Sequence, residues 1–135
     1  MAANKLVRFG PVAITTVTTT NVLNPGTTTG GVGMPATSTN MYFIVRHIRI
    51  VNRTATAIRH AFWLGATGAN AVGTEVIAGG TATAGALDAS VGVTVAAGSF
   101  VDWYGLLTLD VADFLVGGAS AAGLTFEAEG ELGVR

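Results

Sequence analysis

Residues 41 to 65 read MYFIVRHIRIVNRTATAIRHAFWLG. Two β-strands joined at Asn52-Arg53-Thr54 are expected here. In the first, Tyr42, Ile44, Ile48 and Ile50 share one parity, interrupted by Arg46. Phe43, Val45, His47, Arg49 and Val51 take the other. In the second, Ile58, Phe62 and Leu64 alternate with Arg59, Ala61 and Trp63. Strand side chains point to opposite faces with period two, so each strand should have one buried face and one partly wet face. β-Branched and aromatic residues suit a pleated surface. No other stretch is as dense in large apolar side chains, so the core is expected to form here, on a hairpin.

Working outward, Lys5–Phe9 is short and mixed, and Gly10-Pro11 punctuates it. Val12–Leu23 is rich in Thr and Val and can form a strand, and Asn24-Pro25-Gly26 marks a turn. Thr27–Asn40 carries Gly, Pro and Thr without any period. It reads either as a long surface loop or as an extended arm that orders against a neighbouring subunit.

On the other side, Gly65–Asn70 is a turn, Ala71–Ile77 a short strand, and Val91–Val95 a weak one within an Ala/Gly-rich stretch. Ser99–Leu109 is the second dense segment. Phe100, Asp102 and Tyr104 share one parity there, Val101 and Trp103 the other. A single helical turn with Asp110 as N-cap is one option at Asp110–Phe114, and a cap and a turn is the expected role of Asp110 and Asp113. The last strand alternates most cleanly. Leu124, Phe126, Ala128, Leu132 and Val134 face one way; Thr125, Glu127, Glu129 and Glu131 face the other. Such a Glu row repels itself unless cations lie opposite, and the Arg residues of the 41–65 stretch are the candidates. Seven to eight short strands and no amphipathic helix define an all-β chain. An antiparallel β-sandwich, jelly-roll-like, is expected over residues 41–135, with residues 1–40 as an N-terminal strand and extended arm.

At 135 residues the chain fits one domain with a real core. Charged residues make up only 11%, about half the usual share, so part of the surface should be covered by partners. The net charge of −1 hides an asymmetry. Up to Thr74 the charges are all basic: Lys5, Arg8, Arg46, Arg49, Arg53 and Arg59. From Glu75 onward they are acidic apart from Arg135. The two halves can pair within the domain or between subunits. Arg46, Arg49, Arg53, Arg59, Glu127, Glu129 and Glu131 are therefore the candidate interface residues. No nucleic-acid-binding motif surrounds the Arg residues, so no nucleic-acid partner is expected. No apolar run is long enough for a spanning helix, the N-terminus lacks a signal-peptide core, and no membrane partner is expected.

Catalytic constellations are sparse. The absence of cysteine excludes disulfides, thiolate metal sites and cysteine nucleophiles. His47 and His60 could be cross-strand neighbours, but no carboxylate accompanies them in the stretch, so two histidines on the wetter face of a sheet are expected rather than a metal site. Asp110 and Asp113 lack the ligand number that calcium needs. No nucleophile-elbow, phosphate-loop or zinc-protease motif occurs. Asn52-Arg53-Thr54 matches a glycosylation acceptor, though a turn explains it better. Trp63, Asp102, Trp103 and Tyr104 could form a carbohydrate platform; core or interface packing is the commoner role of strand aromatics. No cofactor and no enzymatic activity are expected.

The order of segments from Met41 onward resembles a family of small tailed-bacteriophage virion proteins. The segments carrying it are IRIVNRTATA, HAFWLGATGAN, VAAGSFVDWYG, ADFLVGGASAAG and LTFEAEGELGV, which cover about the last two thirds of the chain. The resemblance implies a non-enzymatic, β-rich structural part of a phage particle, of minor tail or head accessory type. Its implied location is the virion. Its implied partners are copies of itself, with three-fold clustering one option, and the phage tail or major capsid proteins. A tail-associated position is expected ahead of capsid decoration, and a host-surface or carbohydrate-binding module is the remaining alternative.

Overall fold

The computed structural model describes residues 4–25, 41–65, 74–77, 87 and 92–134. Nine strands occur among the described residues: β1 (Lys5–Ile14), β2 (Thr20–Leu23), β3 (Met41–Asn52), β4 (Ile58–Gly65), β5 (Thr74–Ile77), β6 (Val93–Val95), β7 (Phe100–Leu109), β8 (Phe114–Ala119) and β9 (Leu124–Val134). No helix occurs among the described residues. One sheet has the order β1-β9-β3-β7; the other runs β2-β8-β4-β5, with β6 also on β4. All pairings are antiparallel. Successive strands β1 to β4 and β7 to β9 switch sheets at every connection, which is the double wrap of a jelly roll. β1 and β2 are strands of the two sheets, so the sandwich starts at Lys5, and residue 40 marks no break in its core. The proposed arm over 27–40 lies outside the described residues.

The inner faces meet over Phe9, Phe43, Ile48, Ile50, Phe62, Leu109, Leu115 and Phe126, all buried. Burying one such side chain contributes about 1.5–3 kcal/mol. Phe62 links the sheets, its ring centroid 5.6 Å from that of Phe126.

β3 and β4 are not a hairpin. They belong to different sheets, and the segment between them arches over the end of the sandwich. Buried Asn52 holds that arch. Its amide donates to the carbonyls of Thr56 (2.8 Å) and Val95 (3.0 Å), and its oxygen accepts from the Thr54 amide (2.9 Å) and hydroxyl (2.8 Å). A turn and an arch use the same local residues; the pairing partners differ, and those lie far along the chain.

The mixed parity of β3 also has a cause. Met41, Phe43 and Val45 point inward, then Ile48, Ile50 and Asn52 do. The register slips between Val45 and His47 against both neighbours, so a bulge at Arg46 exchanges the two faces. The bulge fits over Gly130, where a Cβ would collide with the Ile44 carbonyl.

Asp110 and Asp113 form a tight turn between β7 and β8, as expected of the pair, and the optional helical turn at Asp110–Phe114 is not formed. The Asp113 amide donates to the Asp110 carbonyl (2.9 Å), and the Asp110 amide donates to the Asp113 carboxylate (2.8 Å). The four residues from Asp110 to Asp113 that join the two sheets leave no length for a helix.

Candidate functional site

Among the described residues, the outer face of the first sheet gathers most of the charged side chains. Four strands contribute, and the antiparallel registers set the partners. Arg49 stands opposite Asp102 on β7 and opposite Glu127 on β9; His47 stands opposite Tyr104 and Glu129. Arg49 makes two hydrogen bonds to Asp102, from Nε to Oδ1 (2.7 Å) and from Nη2 to Oδ2 (3.0 Å). His47 Nε2 lies 2.8 Å from the same Oδ1, and His47 Nδ1 lies 3.8 Å from Glu129. The Arg49 hydrogen bonds, helped by His47, hold the Asp102 carboxyl down at about 2, well below the usual carboxylate range. The same contact raises Arg49 above its ordinary value.

On the far side of β9, Arg8 of β1 reaches Glu127 at 2.9 Å. Arg46, pushed outward by the bulge, reaches Glu131 at 2.7 Å. Asn4 donates to Glu131 (2.9 Å) and accepts from the Tyr42 hydroxyl (2.8 Å). Asn4, then Arg46, lower the Glu131 carboxyl. The Tyr104 ring stacks on His47 with centroids 4.6 Å apart and 13° between planes, and Arg49 lies 4.3 Å over the Phe100 ring. Shallow depressions run along this face. One of about 440 Å³ lies between Leu6, Arg8, Arg46, His47 and Glu129. One of about 370 Å³ lies between Pro11, Val51, Arg53 and Glu127.

Of the residues singled out in the sequence, Arg46, Arg49, Glu127, Glu129 and Glu131 therefore share one face. Arg53 is exposed in the arch and reaches the second depression. Arg59 sits apart on the second sheet, where its backbone bonds Ser120. The carbohydrate platform does not assemble. Trp63 is on the second sheet, 1% exposed, under Leu87 and beside Val116. Trp103 has the inward parity of β7 and packs against the core. Only Asp102 and Tyr104 of that group share the charged face.

The two histidines are also separated. His47 is on the charged face, whereas His60 points into the core with Ile58 and Phe62, opposite Ala119. Neither of its ring nitrogens has a well-aligned hydrogen-bond partner, and its ring lies 5.5 Å from that of Phe62. Burial lowers its pKa to about 4 against a weak opposing influence of the Val93 backbone. The shared parity of Ile58, His60 and Phe62 was the sequence signal for this. Among the described residues no group of three or more His, Asp or Glu is placed to hold a metal ion.

Leu6, Arg8, Asn4 and Tyr42 join the face without having been singled out. Their partner strand β9 lies more than 80 residues further on in the chain, so no local pattern announces them. Chemically, the face pairs ionised groups with one another. It offers a fixed polar surface whose margins carry exposed apolar side chains: Leu6 on β1, and Phe100, Tyr104 and Leu106 on β7.

What the fold and this face define is a jelly-roll sandwich with a self-neutralised outer sheet. No family model, curated protein or solved structure matches the chain.

Proposed function

We propose that this chain is a non-enzymatic structural protein of a bacteriophage particle, which self-associates and docks on the virion, at the tail ahead of the head. The order of the segments from Ile48 to Val134 supports the phage assignment by resemblance. Jelly rolls build viral shells and lectins alike, so the fold agrees with this role without selecting it.

The observation that carries the structural role is the pairing of charge with exposed apolar margin. In a chain only 11% charged, Arg8, Arg46 and Arg49 are already bound to Glu127, Glu131 and Asp102. Leu6 at 80% and Leu106 at 67% exposure stand beside them. A neutralised face can be covered by another protein without leaving bare charge, and the apolar margin gains from being covered. The same neutralisation speaks against a nucleic-acid partner, which needs uncompensated cations.

Mass spectrometry of purified particles, with heads and tails separated, tests this reading. The protein should fractionate with tails. Labelling of the capsid lattice instead would select the decoration role, and absence from both fractions would refute the virion role.

A further inference from the structure

His60 sits where β4 passes from one neighbour to another. β6 meets β4 from Ile58 to His60, and β8 is paired with it from His60 to Gly65. The ring is buried on the inner face, and neither nitrogen has a well-aligned hydrogen-bond partner. Among the described residues no Asp, Glu, Lys or Arg is buried, so no charged side chain faces it there. Val93 and Val95 of β6, Ala119 of β8, Ile58 and Phe62 of β4 and Phe126 across the core are apolar. Arg59, next along β4, has the outward parity. A ring so placed stays neutral, because a buried imidazolium would have neither water nor an anion to stabilise it. Protonation demands that something move away from it.

β6 is the element whose movement disturbs least. It is 3 residues long and, among the described strands, pairs only with β4. Gly92 and Gly98 bracket it at φ 107° and 63°, both in the left-handed region. Gly92 is packed against the His60 carbonyl, which a Cβ would approach to 2.8 Å. Val93 stands opposite His60, on the same side of the sheet, and is already 38% exposed. Solvent is therefore one residue away from the ring. Swinging β6 out uncovers Val95 and gives up the Asn52 contact to the Val95 carbonyl. Withdrawing β8 instead would split the second sheet along its central pairing.

We propose that β6 is an acid-released flap: proton uptake by His60 frees β6 from β4, turning on Gly92 and Gly98, while the two sheets stay packed. The opened form takes up a proton near the ordinary 6.5, the closed form only at about 4. Opening is thus favoured as pH falls below 6.5, and the gain levels off as pH passes 4. Local opening of this kind draws on the least strongly held part of a fold. The inference does not rest on the proposed virion role, and either can fail while the other stands.

Hydrogen–deuterium exchange of the full chain, corrected for the intrinsic rate at each pH, tests the flap. From pH 7 to pH 4.5 the 92–98 segment should lose about fifty-fold in protection, and at pH 4.5 it should exchange well ahead of β9. His60→Leu should abolish that pH-dependent loss and keep the protection seen at pH 7. A second readout needs no variant. At pH 4.5, low urea should speed exchange in β9 and leave that of 92–98 nearly unchanged, since a local opening exposes little surface. One shared opening constant for 92–98 and β9 at pH 4.5 would mean that His60 is reached only by unfolding of the whole sandwich, and would overturn the inference. So would an equal pH-dependent loss in His60→Leu and wild type.

Discussion

Arg49 and Asp102 face each other across β3 and β7 and are joined by two hydrogen bonds, 2.7 and 3.0 Å long. Paired forks of this kind fix geometry as well as charge. Here they tie the β7 edge to the sheet, and His47 adds a third contact to the same carboxylate.

The Asp102 carboxyl is held at about 2 in the folded chain, first by Arg49 and then by His47, against an ordinary 3.8. A depressed acid stabilises the fold above its unfolded pKa and ceases to do so as pH falls through the folded value. Asp102→Asn should therefore lower the urea midpoint at pH 7. The gap between variant and wild type should narrow below about pH 4 and close near pH 2. A gap that persists at pH 2 would assign the loss to packing instead of charge.

His60 gives a second window. Its folded pKa is about 4 and its ordinary value 6.5. The unfolded chain therefore takes up a proton that the folded chain refuses. Stability is full above pH 6.5 and declines as pH falls toward 4, by about 3 kcal/mol in all. His60→Leu keeps an apolar side chain in the same place and should remove this part of the slope between pH 6.5 and 4. At pH 7 the variant should be at least as stable as wild type, since it also removes two buried ring nitrogens that lack well-aligned hydrogen-bond partners. Chemical denaturation at pH 7, 5.5 and 4.5 reads both effects.

Asn52 carries the arch between the sheets. It is 1% exposed and all four of its contacts are within the loop or to β6. Asn52→Ala leaves the Thr56 and Val95 carbonyls without that donor and should cost about 2–3 kcal/mol. Asn52→Asp should cost more, because a carboxylate would face two carbonyl oxygens. Equilibrium unfolding at pH 7 distinguishes the two. The same burial makes Asn52 a poor glycan acceptor, so a glycosylating host should leave the folded chain unmodified there.

The all-β class and the two-sided last strand were legible because β9 keeps strict alternation from Leu124 to Leu132. Two things were not. β3 changes face at Arg46, so its apolar residues fall on both parities, and reading it as one uninterrupted strand mixes inner with outer. The arch at Asn52 carries the residues of a hairpin turn, and only the long-range registers of β3 with β9 and of β4 with β8 show that the strands part company. The charged face was half legible. The Glu row asked for cations, but Arg8 and Asp102 became partners only through pairings that bring β1 and β7 to the two sides of the β9–β3 pair.

The bulge itself makes the most direct claim on the backbone. Gly130 lies under it, and a Cβ there would overlap the Ile44 carbonyl oxygen and crowd Val45 Cα at 3.0 Å. All of these are main-chain atoms of the strand that the bulge bends, so none can swing away as a side chain would. Gly130→Ala should force β3 off β9 at the point where Arg46 is presented to Glu131, costing about 2–3 kcal/mol or more. Gly98→Ala is the control, since no atom lies within 4 Å of a Cβ there, although its φ of 63° carries a smaller backbone cost. Thermal unfolding should rank wild type above Gly98→Ala and Gly98→Ala above Gly130→Ala. Equal losses at the two glycines would mean that β3 accommodates a methyl group at the bulge, and that close approach at residue 130 does not set the register of the charged face.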